Sequence, residues 1–146
     1  MIVLDTTVLL YAKGADHTLR DPARRLIAAV TDGDIEATTT AEVIQEFVHV
    51  RARRRGRTDA VTLGDDYAEL LSPLLTVTAE QLHRGLEIFT RCERLGAFDA
   101  VLAAAALSIE AYALVSADAA FGTVPALTHV NPDAQGVAEL LSEQSG

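Results

Sequence analysis

Asp5, Glu46, Asp99 and Asp118 are the residues whose placement in this chain points to chemistry. Asp5 closes a wholly apolar run, Met1 to Leu4. Glu46 lies one turn inside a helical stretch. Asp99 opens an alanine-rich helix, and Asp118 follows the apolar run Ala113 to Val115. In an open parallel sheet, the carboxyl ends of strands and the starts of the following helices share one edge, where ligands bind. Asp5, Asp99 and Asp118 belong to such junctions, and Glu46 joins them if its helix leans inward. Each acid alone has an ordinary reading as a helix cap, a dipole partner or a solvated surface group. Gathered together, four carboxylates need a counter-charge. A hard divalent cation with oxygen ligands, Mg²⁺ or Mn²⁺, is the natural one.

A second feature is cationic. Five of the eleven arginines, Arg51, Arg53, Arg54, Arg55 and Arg57, fall in one stretch just after the helix that carries Glu46. Guanidinium groups bind phosphates well, so the stretch is expected to contact a nucleic-acid backbone outside the acid cluster. The competing reading is a solvated helix end with cations near a negative dipole. An acidic segment of a partner protein is a third possible occupant. His17, His49, His83 and His129 lack metal-binding spacing and are read as surface or structural. Cys92 is read as a packing residue. No Gly-rich phosphate loop is present, which argues against a P-loop enzyme.

The elements that must position these groups follow from local pattern. Residues 1–4 form a buried strand, and Leu9 to Tyr11 lie in a short helix. Pro22 opens a second helix that Gly33 closes. Ile35 to Thr38 is a strand candidate. Thr39-Thr40-Ala41-Glu42 has capping-box spacing, so the helix with Val43, Phe47 and Val50 starts there and ends at the arginines and Gly56. Asp59 to Leu71 is helical up to Pro73, and Leu74 to Thr78 is a third strand candidate. Ala79 to Leu95 is a helix with Leu82, Leu86 and Phe89 spaced for burial, ended by Gly96. The alanine-rich helix runs from Asp99 to about Glu110, its alanines at 103–106 serving close packing. Ala113 to Val115 and the edge pair His129–Val130 complete the strands. Strands alternating with helices imply an α/β fold with a parallel sheet covered on both faces.

At 146 residues, with 49% hydrophobic and 23% charged residues, the chain suits one globular domain, 1–146, and excludes a disordered or fibrous class. The longest largely apolar stretch, Ala100 to Ile109, is too short to span a bilayer. The opening residues carry no basic segment and meet an acid at position 5, unlike a secretory leader. Cys92 is the only cysteine, so no internal disulfide is possible. A cytoplasmic protein without membrane association is expected. The net charge of −9 argues against general nucleic-acid affinity and confines any phosphate binding to the arginine stretch.

The segments around the acids also resemble a known family. Asp5-Thr6-Thr7-Val8-Leu9-Leu10-Tyr11 is similar to the opening motif of PIN domains, and Glu46 in Val43-Ile44-Gln45-Glu46-Phe47 resembles their second acid. Phe98-Asp99-Ala100-Val101-Leu102-Ala103-Ala104-Ala105 resembles the third, and Ser116-Ala117-Asp118-Ala119-Ala120-Phe121 the fourth. Order, spacing and length are similar to the VapC-type toxins of bacterial toxin–antitoxin pairs. The resemblance implies a PIN-like α/β/α sandwich with a mainly parallel sheet of four to five strands. It also implies a metal-dependent endoribonuclease acting on RNA, a homodimer, and a cognate VapB-like antitoxin that inhibits it. Carried over by position, Asp5, Glu46, Asp99 and Asp118 form the acidic site, with Thr7 or Ser116 supplying a nearby hydroxyl. Asp5 and Asp99 are then the expected direct metal ligands. Glu46 and Asp118 act through water, orient the nucleophile or hold a second ion. Relatives often carry another acid where Ala120 stands, and one ion or two both remain open.

Two other classes compete. A receiver-like phospho-acceptor domain has similar length and acids at strand ends, but it wants a lysine after a late strand, and the only lysine is Lys13. An aspartate-nucleophile phosphatase wants an acid where Thr7 stands. A PIN-like module that binds RNA or protein without cleaving is the remaining alternative, against which the full set of four acids counts.

Overall fold

The computed structural model describes residues 1–144. Four short strands form one parallel sheet: β1 (Ile2–Leu4), β2 (Ala37–Thr38), β3 (Ala113–Val115) and β4 (His129–Val130), in the order β2-β1-β3-β4. Every residue of β1 and β3 is buried. Successive strand side chains point to opposite faces, so both faces of these central strands are covered. The covering helices are α1 (Thr6–Lys13), α2 (Arg20–Thr31), α3 (Ala41–Arg55), α4 (Arg57–Leu70), α5 (Ala79–Arg91), α6 (Ala97–Ser108) and α7 (Ala134–Gln144). The α/β/α sandwich expected from the sequence is the fold observed. Among the described residues no helix is long and apolar enough to cross a membrane.

Two helical hairpins carry Glu46 and Asp99. In α3–α4, Gly56 has φ of 89° and joins the helices by one residue, a conformation that costs glycine little. The pair closes around Phe47 and Tyr67, whose rings meet edge to face at 5.1 Å. The Tyr67 hydroxyl donates to the Leu9 carbonyl at 3.1 Å, which ties α4 to α1. In α5–α6, the buried alanines Ala103 to Ala106 give α6 a slim flank, as anticipated.

Several local expectations need correction. Leu74 to Thr78 is not a strand, because only Leu75 pairs, through a single parallel bridge to Thr40. The second strand is confined to Ala37–Thr38. The helix bearing Glu46 starts where expected, but the cap is Thr40, which accepts from the Val43 amide at 3.2 Å. Thr39 instead donates to the Leu4 carbonyl at 2.6 Å, so Glu42 has no box to close. A capping box does form at α5, between Thr78 and Gln81.

Helix α5 stops at Arg91, and Gly96 is the N-cap residue of α6. Leu82, Leu86 and Phe89 are 43%, 43% and 46% exposed rather than buried. The inward face of α5 carries Gln81, Gly85, Ile88 and Cys92. A Cβ on Gly85 would stand 2.7 Å from the Val101 Cα, so only glycine allows this approach. Helix α7, packed on α2, has no counterpart in the sequence reading.

Candidate active site

The register of the sheet brings the first and last acids together. Leu4 pairs with Val115, so Asp5 and Ser116 leave the same sheet edge side by side. Asp5 is the N-cap residue of α1, yet its side chain caps nothing. Its Oδ2 accepts from the Ser116 hydroxyl at 2.6 Å and from the Thr7 hydroxyl at 3.0 Å. A cap contributes about 1 kcal/mol, and this carboxylate forgoes it while being only 3% exposed. The ordinary reading of Asp5 therefore fails.

The two hydroxyls are fixed in turn. Thr7 Oγ1 accepts from the Ala117 amide and Ser116 Oγ from the Asp118 amide, each at 3.0 Å. His129 Nε2 lies 2.8 Å from the Ser116 carbonyl oxygen and braces the same turn. Both expected hydroxyl positions are thus present and both engage Asp5. Asp118 does cap: its Oδ1 accepts from the Ala120 amide at 2.9 Å and starts the 3₁₀ turn Ala119–Thr123. Its ordinary reading holds, alongside its position beside the other acids.

Asp99 lies in the first turn of α6, where a helix dipole favours the carboxylate. Its carboxyl is nevertheless pushed up to about 7, first by burial and then by the negative charges of Asp5, Asp118 and Glu46. Glu46 is also raised, chiefly by burial, with Asp5 adding to it and Thr6 and His49 drawing it back. Thr6 Oγ1 is buried beside Glu46 but meets no acceptor in hydrogen-bonding geometry. Asp99 and Glu46 thus each register the charge of Asp5, on elements that meet at the carboxyl edge of the sheet.

Comparison with known proteins gives this arrangement its family. The PIN domain model matches residues 2–127. The chain belongs to the PIN-domain family. Within that family it is 56% identical, over 99% of its own length and 100% of the relative's, to Ribonuclease VapC7 of Mycobacterium tuberculosis. It is 33% identical to Ribonuclease VapC23 of the same species, over 68% of this chain and 78% of that one. A solved VapC20 from M. tuberculosis, a Sarcin-Ricin loop cleaving toxin, superposes with a TM-score of 0.71 at 22% identity, over 84% of this chain and 93% of that one. VapBC2 from Rickettsia felis, solved on a DNA fragment from its promoter, gives 0.69 at 19%, over 90% and 98%. The receiver and phosphatase alternatives give way to this membership.

VapC ribonucleases with PIN domains are metal-dependent, and the donor chemistry of this PIN domain fits. All candidate donors are hard oxygens, and a cation would relieve the repulsion that raises Asp99. Among the described residues, however, no three His, Cys, Asp or Glu side chains form a set that holds an ion by itself.

The arginine stretch of this PIN domain does not form one patch. Arg51 is committed to structure: its Nε donates to Asp59 Oδ1 at 2.6 Å and its Nη1 to the Lys13 carbonyl at 2.9 Å. That guanidinium holds the Asp59 carboxyl below its ordinary value. Arg54 lines a hollow beside Tyr11 and His17, on the α1 side. Arg53 and Arg57 share a groove on the outer side of α3–α4. The expected common phosphate site therefore divides, because residues one or two apart on a helix point in different directions. The sequence reading took His49 as surface or structural; its place three residues after Glu46 sets it on the same helical face, where it acts on the Glu46 carboxyl.

Proposed function

We propose that this chain, as one PIN-like domain over 1–146, is a VapC-type endoribonuclease that cleaves RNA phosphodiester bonds at the Asp5–Glu46–Asp99–Asp118 site. The observation that carries the reading is the β1–β3 register, which sets the buried, non-capping Asp5 beside Ser116 and Asp118 at one sheet edge, tied by the Thr7 and Ser116 hydroxyls. Asp5 and Asp99 would hold the cation, Mg²⁺ or Mn²⁺. Asp5 is oriented by Thr7 and Ser116, whose hydroxyls both donate to Oδ2. When bound, the ion supplies Lewis acidity toward the phosphoryl oxygens and lowers the pKa of the attacking water. Glu46 and Asp118 orient that water for in-line attack, and none of the carboxylates attacks phosphorus.

As with the toxin–antitoxin relatives, we infer a VapB-like antitoxin as inhibitor and the cytoplasm as the place of action. A homodimer is inferred as well. A second copy would cover Leu82, Leu86 and Phe89 on α5, since an exposed apolar stripe of this kind marks an interaction face. The functional test is incubation of the purified protein with structured RNA, with and without Mg²⁺, beside Asp99→Asn. Cleavage that needs the metal and is lost in Asp99→Asn supports the reading. Metal-independent cleavage equal in both proteins would overturn it.

A further inference from the structure

Glu46 does not stand alone on its helix. Glu46, His49 and Arg53 are spaced by three and four residues, which places them along one face of α3. His49 lies near enough to Glu46 to act on its carboxyl. At the helical rise, Arg53 stands about 10 Å further along the axis from Glu46. Here α4 adds Arg57, and the two arginines border a groove of about 490 Å³ that also holds Gln45, His49, Val48 and Val61.

Three observations say what fits this groove. Its charged lining is cationic throughout, with no carboxylate, on a protein whose net charge is −9. Arg53 and Arg57 make no ion pair among the described residues, whereas Arg51 is spent on Asp59. The floor is apolar, and Val61 is 51% exposed on it. Cations above an apolar floor match a nucleotide, whose phosphates need charge and whose ribose and base need a nonpolar face.

We propose that the groove between α3 and α4 seats the RNA strand next to the bond being cleaved, with Arg53 and Arg57 on two successive backbone phosphates, His49 linking them to the acid site, and Val48 and Val61 under the intervening nucleoside. The proposal rests on the ribonuclease reading for its substrate. It differs from a general arginine patch in assigning the contacts to Arg53 and Arg57 and not to Arg54 and Arg55, which leave the helix in other directions.

The test measures binding of a labelled single-stranded RNA to the full chain in EDTA, where cleavage is off, across a salt series. R53A/R57A is expected to reduce the magnitude of the log–log salt slope by about 1.4, two contacts at about 0.7 each. R54A/R55A, which removes the same charge, should change the slope by less than a third of that. R53K/R57K should recover the slope, a rescue that a misfolded R53A/R57A protein could not predict. Equal slopes for the two alanine pairs would overturn the groove. So would an unchanged RNA slope in R53A/R57A with loss of antitoxin binding, since the occupant would then be protein. Wild-type protein that cuts no RNA in Mg²⁺ would defeat the ribonuclease reading alone, because the slope in EDTA still reports on the groove.

Discussion

Replacing Asp99 by Asn is expected to stabilise the metal-free protein near pH 8. The Asp99 carboxyl is pushed up to about 7 from an ordinary 3.8, by burial first and then by Asp5, Asp118 and Glu46. The unfolded chain thus releases this proton about three units earlier than the folded one. Through that window the folded state binds more protons, so stability falls as pH rises from about 4 to about 7 and levels off above. Three units correspond to about 4 kcal/mol. This is a ceiling, because water screens the partly open site. For a chain of this size, about 4 kcal/mol corresponds to roughly 8–16 °C in melting temperature. Asparagine keeps the shape, carries no charge and removes the penalty.

Thermal melts in EDTA near pH 5 and pH 8 measure the effect. The wild type should lose stability between the two, and Asp99→Asn should lose less. The gap between the proteins should be widest near pH 8 and under about 2 kcal/mol near pH 5. Added Mg²⁺ should then favour the wild type, by about 1.4 kcal/mol at ten times its dissociation constant. Equal melting temperatures near pH 8, with a wild type that is flat from pH 5 to 8, would refute the convergence of the acids.

Asp5→Asn should lower RNA cleavage on the order of a thousandfold, since several kcal/mol of charge stabilisation go with the ligand, while circular dichroism shows the fold retained. Expression of the chain alone should arrest bacterial growth, and co-expression of its cognate antitoxin should restore it; normal growth despite soluble, metal-competent protein would count against the toxin role. If the proposed homodimer forms through the exposed face of α5, Leu86→Glu should yield a monomer in size-exclusion chromatography with little change in melting temperature, because that side chain is not part of the core.

Local physics made the acids legible before any fold was known. A short apolar run that stops at Asp5, and a helix start at Asp99, are boundaries set by burial and hydrogen-bond patterns within a few residues. In a parallel sheet such boundaries all meet at one edge, so Asp5, Asp99 and Asp118, spread over more than a hundred positions, could be read as one site, while Glu46 was placed with them by the resemblance. Thr7 and Ser116 entered through the resemblance to PIN domains, as neighbours of Asp5 and Asp118 in its motifs.

Other features depended on partners remote in the chain. Sequence cannot tell whether Asp5 caps its helix or not, because the competing donor, Ser116, lies 111 residues away. Helix α5 offered two plausible faces, and its Leu82–Leu86–Phe89 stripe had the stronger hydrophobic pattern. The close approach of Gly85 to Val101 decided for the other face, since only a side-chain-free surface lets the two backbones come so near. The arginines divided for a related reason. Their adjacency is a property of the sequence, but the direction of each guanidinium follows from how α3 turns against α1 and α4, and Asp59 takes Arg51 only because the α3–α4 hairpin brings them face to face.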